Sequence, residues 1–223
     1  MKKHTKLIKS HFDKEAEDYN QEVPYVIPRY KHMHIVAINE IPFSFKKNIS
    51  VLDIGIGTGN TTLAVITKFP LANIDALDVS KKMITFAKSK LKEYNINYLV
   101  GDIETKKISK KYDLIISTLT IHHIKNKEKI FKKICSLLKI NGVFILNDIF
   151  IGDTQKETKI IEDKYRSFLK KNFEKEKWWH NLYSKEDIPT SINNQIQWLK
   201  NAGFKKVELK YKYLNTMIIV AKK

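Results

Sequence analysis

The chain has 223 residues, a mass of 26.2 kDa and a formal net charge of +17. An apolar fraction of 43% predicts one globular domain with a full core and excludes a disordered chain. A single cysteine excludes a disulfide scaffold, and no apolar run approaches the roughly 20 residues of a membrane span. The charged N-terminus shows no signal peptide, so we expect a cytoplasmic protein without membrane contact.

Residues 1–44 precede the first predicted strand and show helical patterns with aromatic and aliphatic faces. Pro24 and Pro28 are predicted to break these helices into pieces. The segment also carries Tyr19 and Tyr30, aromatic side chains that a sheet would not need for its own core. We therefore expect residues 1–44 to form a helical lid.

Residues 51–59 are the most informative stretch of the chain. A strand that is apolar on both faces ends in Asp53, and a turn with Gly55, Gly57 and Gly59 follows. A helical pattern begins directly after the turn. A strand, a glycine turn and a helix form the first half of a βαβ unit, in which ligands bind at the carboxyl end of the strand.

The turn departs from the dinucleotide fingerprint G-x-G-x-x-G. Gly55 and Gly57 fit, but Asn60 occupies the sixth position. The carboxylate of Asp53 at the mouth of the turn would repel a pyrophosphate. It would suit a ligand with a cationic amine and no phosphate, and S-adenosylmethionine is such a ligand. A dinucleotide oxidoreductase remains a distant alternative.

Acidic residues follow two further predicted strands. The later strands are predicted at 73–78, 96–100, 112–117 and 142–147. Asp78 ends the second strand, where a carboxylate can accept both hydroxyls of a ribose. Asp102 follows the third strand, where a side chain could reach an adenine edge. Ser80 is predicted to cap the helix after Asp78.

In this order and spacing, these motifs resemble the class I S-adenosylmethionine-dependent methyltransferase family over roughly residues 45 to 150. The resemblance implies an α/β, Rossmann-like fold: a seven-stranded, mostly parallel sheet with a reversed final strand, helices on both faces and a helical lid. It places Asp53 and the glycines by the methionine moiety, Asp78 by the ribose and Asp102 by the adenine. The complete set of expected cofactor contacts is Tyr30, Asp53, Gly55, Gly57, Gly59, Asp78, Val79, Met83, Asp102, Ile103 and Thr118.

We expect a single methyltransferase domain over 1–223, with a lid at 1–44, a cofactor-binding βα core at 45–150, and a lid insertion and final strands at 151–223. Within the last part, a charged helix is predicted at 155–172. A second helix is predicted to end at Asn201, with Gly203 just beyond it. Two strands, predicted at 205–211 and 215–221, complete the sheet.

Aromatic side chains predict an acceptor pocket beneath the lid. The candidates are Tyr19, Trp178, Trp179 and Tyr183, although residues of this kind more often pack in a core. His122 and His123 follow the fourth strand beside the expected methyl position, and either could act as a general base. The alternative is that one packs in the core and the other caps a helix. No metal site is predicted, because the histidines form no credible ligand set, and Cys135 is interpreted as a core residue.

A closer resemblance is to the carboxy-S-adenosylmethionine synthases, which act in tRNA wobble-uridine modification. It rests on Phe12-Asp-Lys-Glu-Ala-Glu, Pro28-Arg-Tyr30 and Trp198-Leu-Lys-Asn-Ala-Gly203. The pattern implies that Tyr30 touches the cofactor and that an arginine near Trp198 holds the extra carboxylate. This chain has no arginine after Arg166, so ordinary methyl transfer is the better interpretation.

The positive charge allows two interpretations. Nearly all of it is lysine spread along the chain, which favours a solvated surface over a nucleic-acid groove. The predicted function is therefore methyl transfer from S-adenosylmethionine to a small-molecule acceptor by in-line displacement. tRNA as the substrate and a non-catalytic S-adenosylmethionine-binding protein remain alternatives. The sequence leaves the oligomeric state open, a homodimer included.

Overall fold

The computed structural model describes residues 3–172, 182 and 185–223. The helices are α1 (Lys3–Glu15), α2 (Tyr19–Val26), α3 (Tyr30–Asn39), α4 (Asn60–Lys68), α5 (Lys81–Lys90), α6 (Lys127–Leu137), α7 (Gln155–Asn172) and α8 (Ile192–Asn201). The strands are β1 (Ser50–Ile54), β2 (Asn73–Asp78), β3 (Ile96–Val100), β4 (Tyr112–Thr118), β5 (Leu138–Ile149), β6 (Lys206–Tyr213) and β7 (Thr216–Lys222). In this part of the chain, no helix is long and apolar enough to cross a membrane.

The strands form one seven-stranded sheet in the order β3-β2-β1-β4-β5-β7-β6. Strands β1 to β5 pair in parallel, and β7 runs antiparallel to both β5 and β6. This confirms the predicted Rossmann-like sheet with its reversed final strand. The order changes direction between β1 and β4, and ligands of open α/β sheets bind at such a switch point.

The core has two layers because successive side chains of a strand point to opposite faces. On β1, Val51 belongs to the layer with α3, α4 and α5, whereas Leu52 and Ile54 belong to the layer with α6 and α8. Both faces of the central strands are therefore buried, as the continuous apolar runs predict. Helices cover both faces of the sheet, also as predicted.

The fifth strand is longer than predicted, since it runs from Leu138 to Ile149 rather than over 142–147. It continues directly from the end of α6, and Leu138 pairs with Tyr112 across an irregularity in β4. Asn141 adopts a left-handed backbone with a φ of 62° just before the regular pairing resumes. A single pair with β4, at Leu138, extends β5 through residues whose own pattern resembles a turn, and regular pairing with both β4 and β7 begins at Val143.

The prediction that Pro24 breaks a helix is wrong, because Pro24 lies inside α2. The helix keeps its shape there because Val23 and Val26 are buried in tertiary contacts, which can offset one missing hydrogen bond. Pro28 does separate two helices. The preceding Ile27 is extended, with φ −97° and ψ 116°, as a residue before proline prefers.

Candidate active site

A cavity of about 740 Å³, measured out to its open mouth, lies at the carboxyl ends of β1, β2, β3 and β4. The structure brings together many of the residues that the sequence predicted for cofactor binding. Those that line this first cavity are Gly55, Gly57, Asp78, Val79, Met83, Asp102, Ile103 and Thr118. The N-terminal helix covers the cavity, and Thr5 and Phe12 of α1 also line it.

The glycine turn brings the backbone close to its surroundings. Gly55 has a φ of +78°, and a Cβ there would lie 2.1 Å from the Oγ1 of Thr120. Gly57 also has a positive φ, +53°, but a Cβ there would meet nothing within 4 Å. One glycine is therefore required by packing within the protein, whereas the other faces open space in the cavity.

Asp78 is held by backbone donors at the floor of the first cavity. Its Oδ2 accepts the N–H of Gly57 at 3.0 Å, and its Oδ1 accepts the N–H of Ser80 at 2.8 Å. Burial raises the pKa of Asp78 to about 6, although these backbone hydrogen bonds act in the opposite direction. The carboxylate is thus fixed in position and would be stabilised by a ligand that donates hydrogen bonds.

Two buried oxygens beside this cavity lack a hydrogen-bond partner among the described residues. They are Oδ1 of Asp53 and Oγ1 of Thr118. The other oxygen of Asp53 accepts the hydroxyl of Thr62 at 2.6 Å. Burial and the nearby charge of Asp78 raise the pKa of Asp53 to about 7, despite that hydrogen bond. An unsatisfied buried carboxylate oxygen is a strong acceptor for a cationic or N–H donor.

Three of the predicted cofactor contacts do not line the first cavity: Tyr30, Asp53 and Gly59. Tyr30 accepts a hydrogen bond from Asn60 at 3.0 Å, next to the glycine turn, and its burial raises its pKa to about 12. Gly59 supports the turn from outside, because a Cβ there would lie 2.9 Å from Leu91. These residues surround the turn rather than face the cavity.

A second cavity, of about 1020 Å³, adjoins the first. The two share the lining residues Phe12, Tyr19, Leu119 and His123. At this junction Leu119 has a φ of +50°, a conformation that is uncommon outside glycine and that often occurs at functional sites. Of the residues predicted for an acceptor pocket, Tyr19 lies here, whereas Trp178, Trp179 and Tyr183 lie outside the described residues.

The second cavity is acidic, although the chain as a whole is strongly basic. Its charged and titratable lining residues are Glu15, Asp18, Glu22, Asp187, Lys14, His11, His122 and His123. Four carboxylates therefore face two cations in this lining, Lys14 and a protonated His122, whereas the whole chain has 41 lysines and arginines and 24 acidic residues. The local field favours a neutral or cationic guest over an anionic one.

His122 and His123 lie in a short 3-10 turn after β4, and both are buried. The Nδ1 of His122 pairs with Oδ1 of Asp148, and its Nε2 lies 3.4 Å from Oδ1 of Asp187. The same oxygen of Asp187 lies 3.1 Å from Nδ1 of His123. One carboxylate thus joins the two imidazoles, and a second carboxylate supports His122 from behind.

The two imidazoles have opposite protonation tendencies. Burial alone would lower the pKa of His122, but the carboxylates of Asp148 and Asp187 raise it to about 9. Burial and the positive charge of His122 lower the pKa of His123. Although burial acts the other way, the two histidines hold the pKa of Asp187 well below its usual range. At neutral pH, His122 is therefore a cation and His123 is a neutral imidazole.

A buried lysine fixes this turn to the segment that carries Asp187. The Nζ of Lys127 donates to the carbonyl of Ile124 at 2.8 Å and to that of Ile188 at 2.5 Å. The N–H of Ile188 donates to the carbonyl of His122 at 2.9 Å. These hydrogen bonds position Asp187 against the histidines, although the two segments are far apart in the sequence.

Sequence reasoning missed several residues of the site. Asp148 could have been found, because it is another acid near the carboxyl end of a strand. Asp187 has no local signal, since it lies outside the helices and strands. Thr5 also has none, yet its hydroxyl donates to Oδ2 of Asp102 at 2.8 Å and joins α1 to the wall of the first cavity.

Comparisons with known proteins support the fold. A family model described as a methyltransferase domain matches residues 45–214. A malonyl-[acyl-carrier protein] O-methyltransferase of Priestia megaterium is 34% identical over 151 residues, which are 67% of this chain and 54% of that protein. The chain spans about half the length of the malonyl-[acyl-carrier protein] O-methyltransferases that it matches first.

Three further matches extend over more of the chain. The carboxy-S-adenosyl-L-methionine synthase of Nautilia profundicola is 27% identical, and the match covers 94% of this chain and 93% of that protein. A structure of a Haloferax volcanii complex with the Trm112 methyltransferase activator aligns with a TM-score of 0.74 at 16% identity, covering 96% of both chains. Human N-acetylserotonin methyltransferase in complex with SAM aligns with a TM-score of 0.63 at 15% identity, covering 92% of this chain and 57% of that one.

Proposed function

Because this chain belongs to the methyltransferase domain family, whose cofactor is S-adenosylmethionine, we propose that it transfers a methyl group from that cofactor to a small, amine-bearing acceptor. The first cavity holds the cofactor, and the second holds the acceptor. The observation that carries the proposal is the junction of the two cavities at Phe12, Tyr19, Leu119 and His123.

The residues of the first cavity fit S-adenosylmethionine. Asp78, already held by two backbone donors, has lone pairs left for the ribose hydroxyls. The unpaired Oγ1 of Thr118, which lines the cavity, can accept a hydrogen bond from the cationic amine end of the cofactor, and the carboxylate of Asp53 lies next to the turn, where its charge would favour that amine. The open space at Gly57 leaves room for a ligand against the backbone. A pyrophosphate would instead meet the carboxylates of Asp53 and Asp78.

Positioning is the main task of the protein in this reaction. As the C–S bond breaks, the acceptor's lone pair forms the new bond to carbon, and a neutral thioether, S-adenosylhomocysteine, remains. Holding two reactants in line can supply up to roughly 7–11 kcal/mol of the barrier reduction. Phe12 of α1 and Tyr19 of α2 form part of both cavity walls, so these helices would shield the reacting atoms from water.

The acidic second cavity supports an amine-bearing acceptor. Glu15, Asp18 and Glu22 line one part of it, where an ammonium group would be stabilised. The malonyl-[acyl-carrier protein] relatives act on a substrate with an anionic carboxylate, which this lining would repel. The acceptor is therefore expected to differ from theirs.

His123 is the residue that can take a proton from the acceptor. It lines both cavities, and its lowered pKa leaves it neutral at pH 7. When its Nδ1–H donates to Asp187, its Nε2 carries the free lone pair. His122, a cation between two carboxylates, would hold Asp187 ionised and in place.

Formation of a carboxylated cofactor is less well supported, despite the long match to the Nautilia profundicola synthase. A second carboxylate on the cofactor would need a cation to hold it. The only arginines of the chain are Arg29 and Arg166, and neither lines the two cavities. Arg29 instead lies over the ring of Tyr213, 4.0 Å from its centroid.

The proposal is tested with methyl-labelled S-adenosylmethionine and a panel of small acceptors in three classes: amines, phenols and carboxylates. We expect label transfer to amine-bearing compounds and formation of S-adenosylhomocysteine in equal amount. Transfer to carboxylates alone, or to tRNA alone, would overturn the assignment of the acceptor class. No binding of S-adenosylhomocysteine by calorimetry would overturn the cofactor assignment.

A matched pair of variants locates the acceptor. Glu22→Gln removes a carboxylate from the lining of the second cavity, whereas Glu17→Gln removes an exposed one that does not line it. We expect Glu22→Gln to raise KM for an amine acceptor and to leave S-adenosylhomocysteine binding unchanged. Glu17→Gln should change neither value. Equal KM values for the two variants would place the acceptor elsewhere.

A further inference from the structure

We propose that His122, His123 and Asp187 form a binding site for a divalent transition-metal ion in the wall of the second cavity. Each offers one ligand atom, and these three atoms lie within 4.8 Å of one another. The two histidines are buried, and Asp187 is partly buried. All three line the second cavity.

The spacing of the ligand atoms fits a metal ion. Zinc–nitrogen and zinc–oxygen bonds of about 2.0–2.2 Å place tetrahedral ligand atoms about 3.3–3.5 Å apart. Oδ1 of Asp187 lies 3.4 Å from Nε2 of His122 and 3.1 Å from Nδ1 of His123. The two histidine nitrogens lie within 4.8 Å of one another, so side-chain shifts would be needed to bring all three atoms around one ion.

Asp148 supplies the outer support that metal-binding histidines usually have. Its Oδ1 pairs with Nδ1 of His122, which leaves Nε2 directed to Asp187 and to the proposed ion. Its Oδ2 accepts the backbone N–H of His122 at 2.9 Å, and its Oδ1 also accepts the N–H of Ile149 at 2.9 Å. A carboxylate behind a ligating imidazole fixes the ring and its tautomer.

The charge and the ligand types agree with a divalent transition metal. Two imidazoles and one carboxylate suit zinc, iron, cobalt or nickel better than magnesium or calcium, which prefer oxygen ligands. The carboxylates of Asp148 and Asp187 together balance the charge of such an ion. Three protein ligands leave an open coordination position, as at catalytic rather than structural sites, and here it would face the cavity.

The site goes beyond the proposed function and does not require it. A metal ion would displace the Nε2 proton of the cationic His122 and would occupy the Nδ1 of His123. Metal binding and proton acceptance by His123 are therefore alternative states. The test therefore measures metal binding itself. Binding of S-adenosylhomocysteine is measured separately, so that failure of one proposal is distinguishable from failure of the other.

The experiment is a titration of the untagged, metal-free full chain with Co²⁺, followed by visible absorption and then by displacement with Zn²⁺. We expect saturation at one equivalent, with the absorption bands of Co²⁺ bound to nitrogen and oxygen ligands, and loss of those bands when Zn²⁺ is added. The only thiol, that of Cys135, is buried at 6% exposure, so sulfur bands are not expected.

Five variants test the assignment of the ligands, three at the site and two as controls. Asp148→Asn should weaken Co²⁺ binding by about 10–100-fold, as loss of an outer carboxylate does at other sites. Asp187→Asn and His123→Asn should weaken it further. His11→Gln is the matched control, because His11 lines the same cavity outside the ligand set. His180, outside the described residues, is tested by His180→Gln, and affinity should be unchanged in both controls.

Binding of S-adenosylhomocysteine to each apo variant verifies that the cofactor half is still folded. Absence of a saturable Co²⁺ site in the parent chain overturns the proposal. So does equal affinity in the parent, Asp187→Asn and His123→Asn, or an equally large loss in a control variant. If Asp187→Asn fails to fold, the His123→Asn and Asp148→Asn titrations decide the question alone.

Discussion

The two cavities are built in different ways. The first lies on the ends of neighbouring parallel strands, and its polar residues follow strands β1 to β4 closely in the sequence. The second is assembled from α1, α2, the turn at Ile121–His123 and the segment around Asp187. The positions of the strand ends are fixed by pairing within the sheet, whereas the sequences of the helices and loops can change without disturbing that pairing.

The cavities also differ in charge and in how their polar groups are satisfied. The first has buried carboxylates that lack a cationic partner among the described residues, and their pKa values are raised. The second has an acidic lining in which histidines and carboxylates already pair. The first cavity therefore favours one type of ligand, whereas single substitutions in the lining of the second can change its charge and so the ligand that it favours.

The largest expected effect is in the glycine turn of the first cavity. Gly55→Ala should lower the free energy of unfolding by about 1–2 kcal/mol for the positive φ and by about 1–3 kcal/mol more for the overlap with Thr120. Gly57→Ala should show only the first contribution, because a Cβ there meets nothing within 4 Å. Denaturant unfolding of both variants measures the difference, and equal losses would contradict the packing assigned to Gly55.

The next largest effect is on the affinity of the first cavity for S-adenosylhomocysteine. Asp78→Ala should weaken S-adenosylhomocysteine binding by about 1–3 kcal/mol, because hydrogen bonds to a carboxylate are lost. Asp113→Ala is the control, since Asp113 pairs with Ser50 and Lys139 at the opposite end of the sheet. Calorimetry should show a loss only for Asp78→Ala. An unchanged affinity would show that Asp78 does not hold the ribose.

The pH dependence of stability tests the raised pKa of Asp53, the buried carboxylate beside the first cavity. The folded-state pKa of Asp53, about 7, lies above its unfolded value, so its contribution to stability is present at low pH and is lost as pH rises from about 4 to 7. Each pKa unit of the shift corresponds to about 1.4 kcal/mol. Asp53→Asn, which stays neutral, should therefore gain stability relative to the parent between pH 5 and pH 8.

Thermal unfolding of the two apo proteins at both pH values measures this change. The comparison uses the difference between variant and parent, so the titration of groups that do not interact with Asp53 cancels. A constant difference across the range would mean that Asp53 titrates normally. Repeating the measurement with saturating S-adenosylhomocysteine should reduce the pH dependence if the ligand's amine stabilises the ionised carboxylate.

The smallest expected effect concerns salt. Turnover of a small acceptor should depend weakly on ionic strength, because both cavities are partly enclosed. Binding of a single-stranded nucleic acid would instead fall with a log–log slope of about −0.7 for each phosphate neutralised. Measurement of kcat/KM across a salt series distinguishes the two. A steep slope, together with methyl label recovered in tRNA, would favour tRNA as the substrate.

The sequence determined the sheet and much of the first cavity. Strands β2 and β3 and helix α7 have the predicted bounds, and Ser80 caps α5 as expected, accepting the N–H of Met83. These features depend on interactions between residues close in the chain: apolar runs, a glycine turn and a capping hydroxyl. Acids at strand ends converge because parallel strands end at one edge of the sheet.

The second cavity depends on contacts between segments that are far apart in the sequence. Asp187 meets His122 and His123 because Lys127 and Ile188 tie two distant segments together, and no local pattern encodes those hydrogen bonds. The protonation of the two histidines likewise depends on burial and on Asp148, which the pattern of the turn does not contain. Local sequence sets backbone conformation, whereas the pKa values, the charge of the lining and the ligand spacing arise from groups brought together by folding.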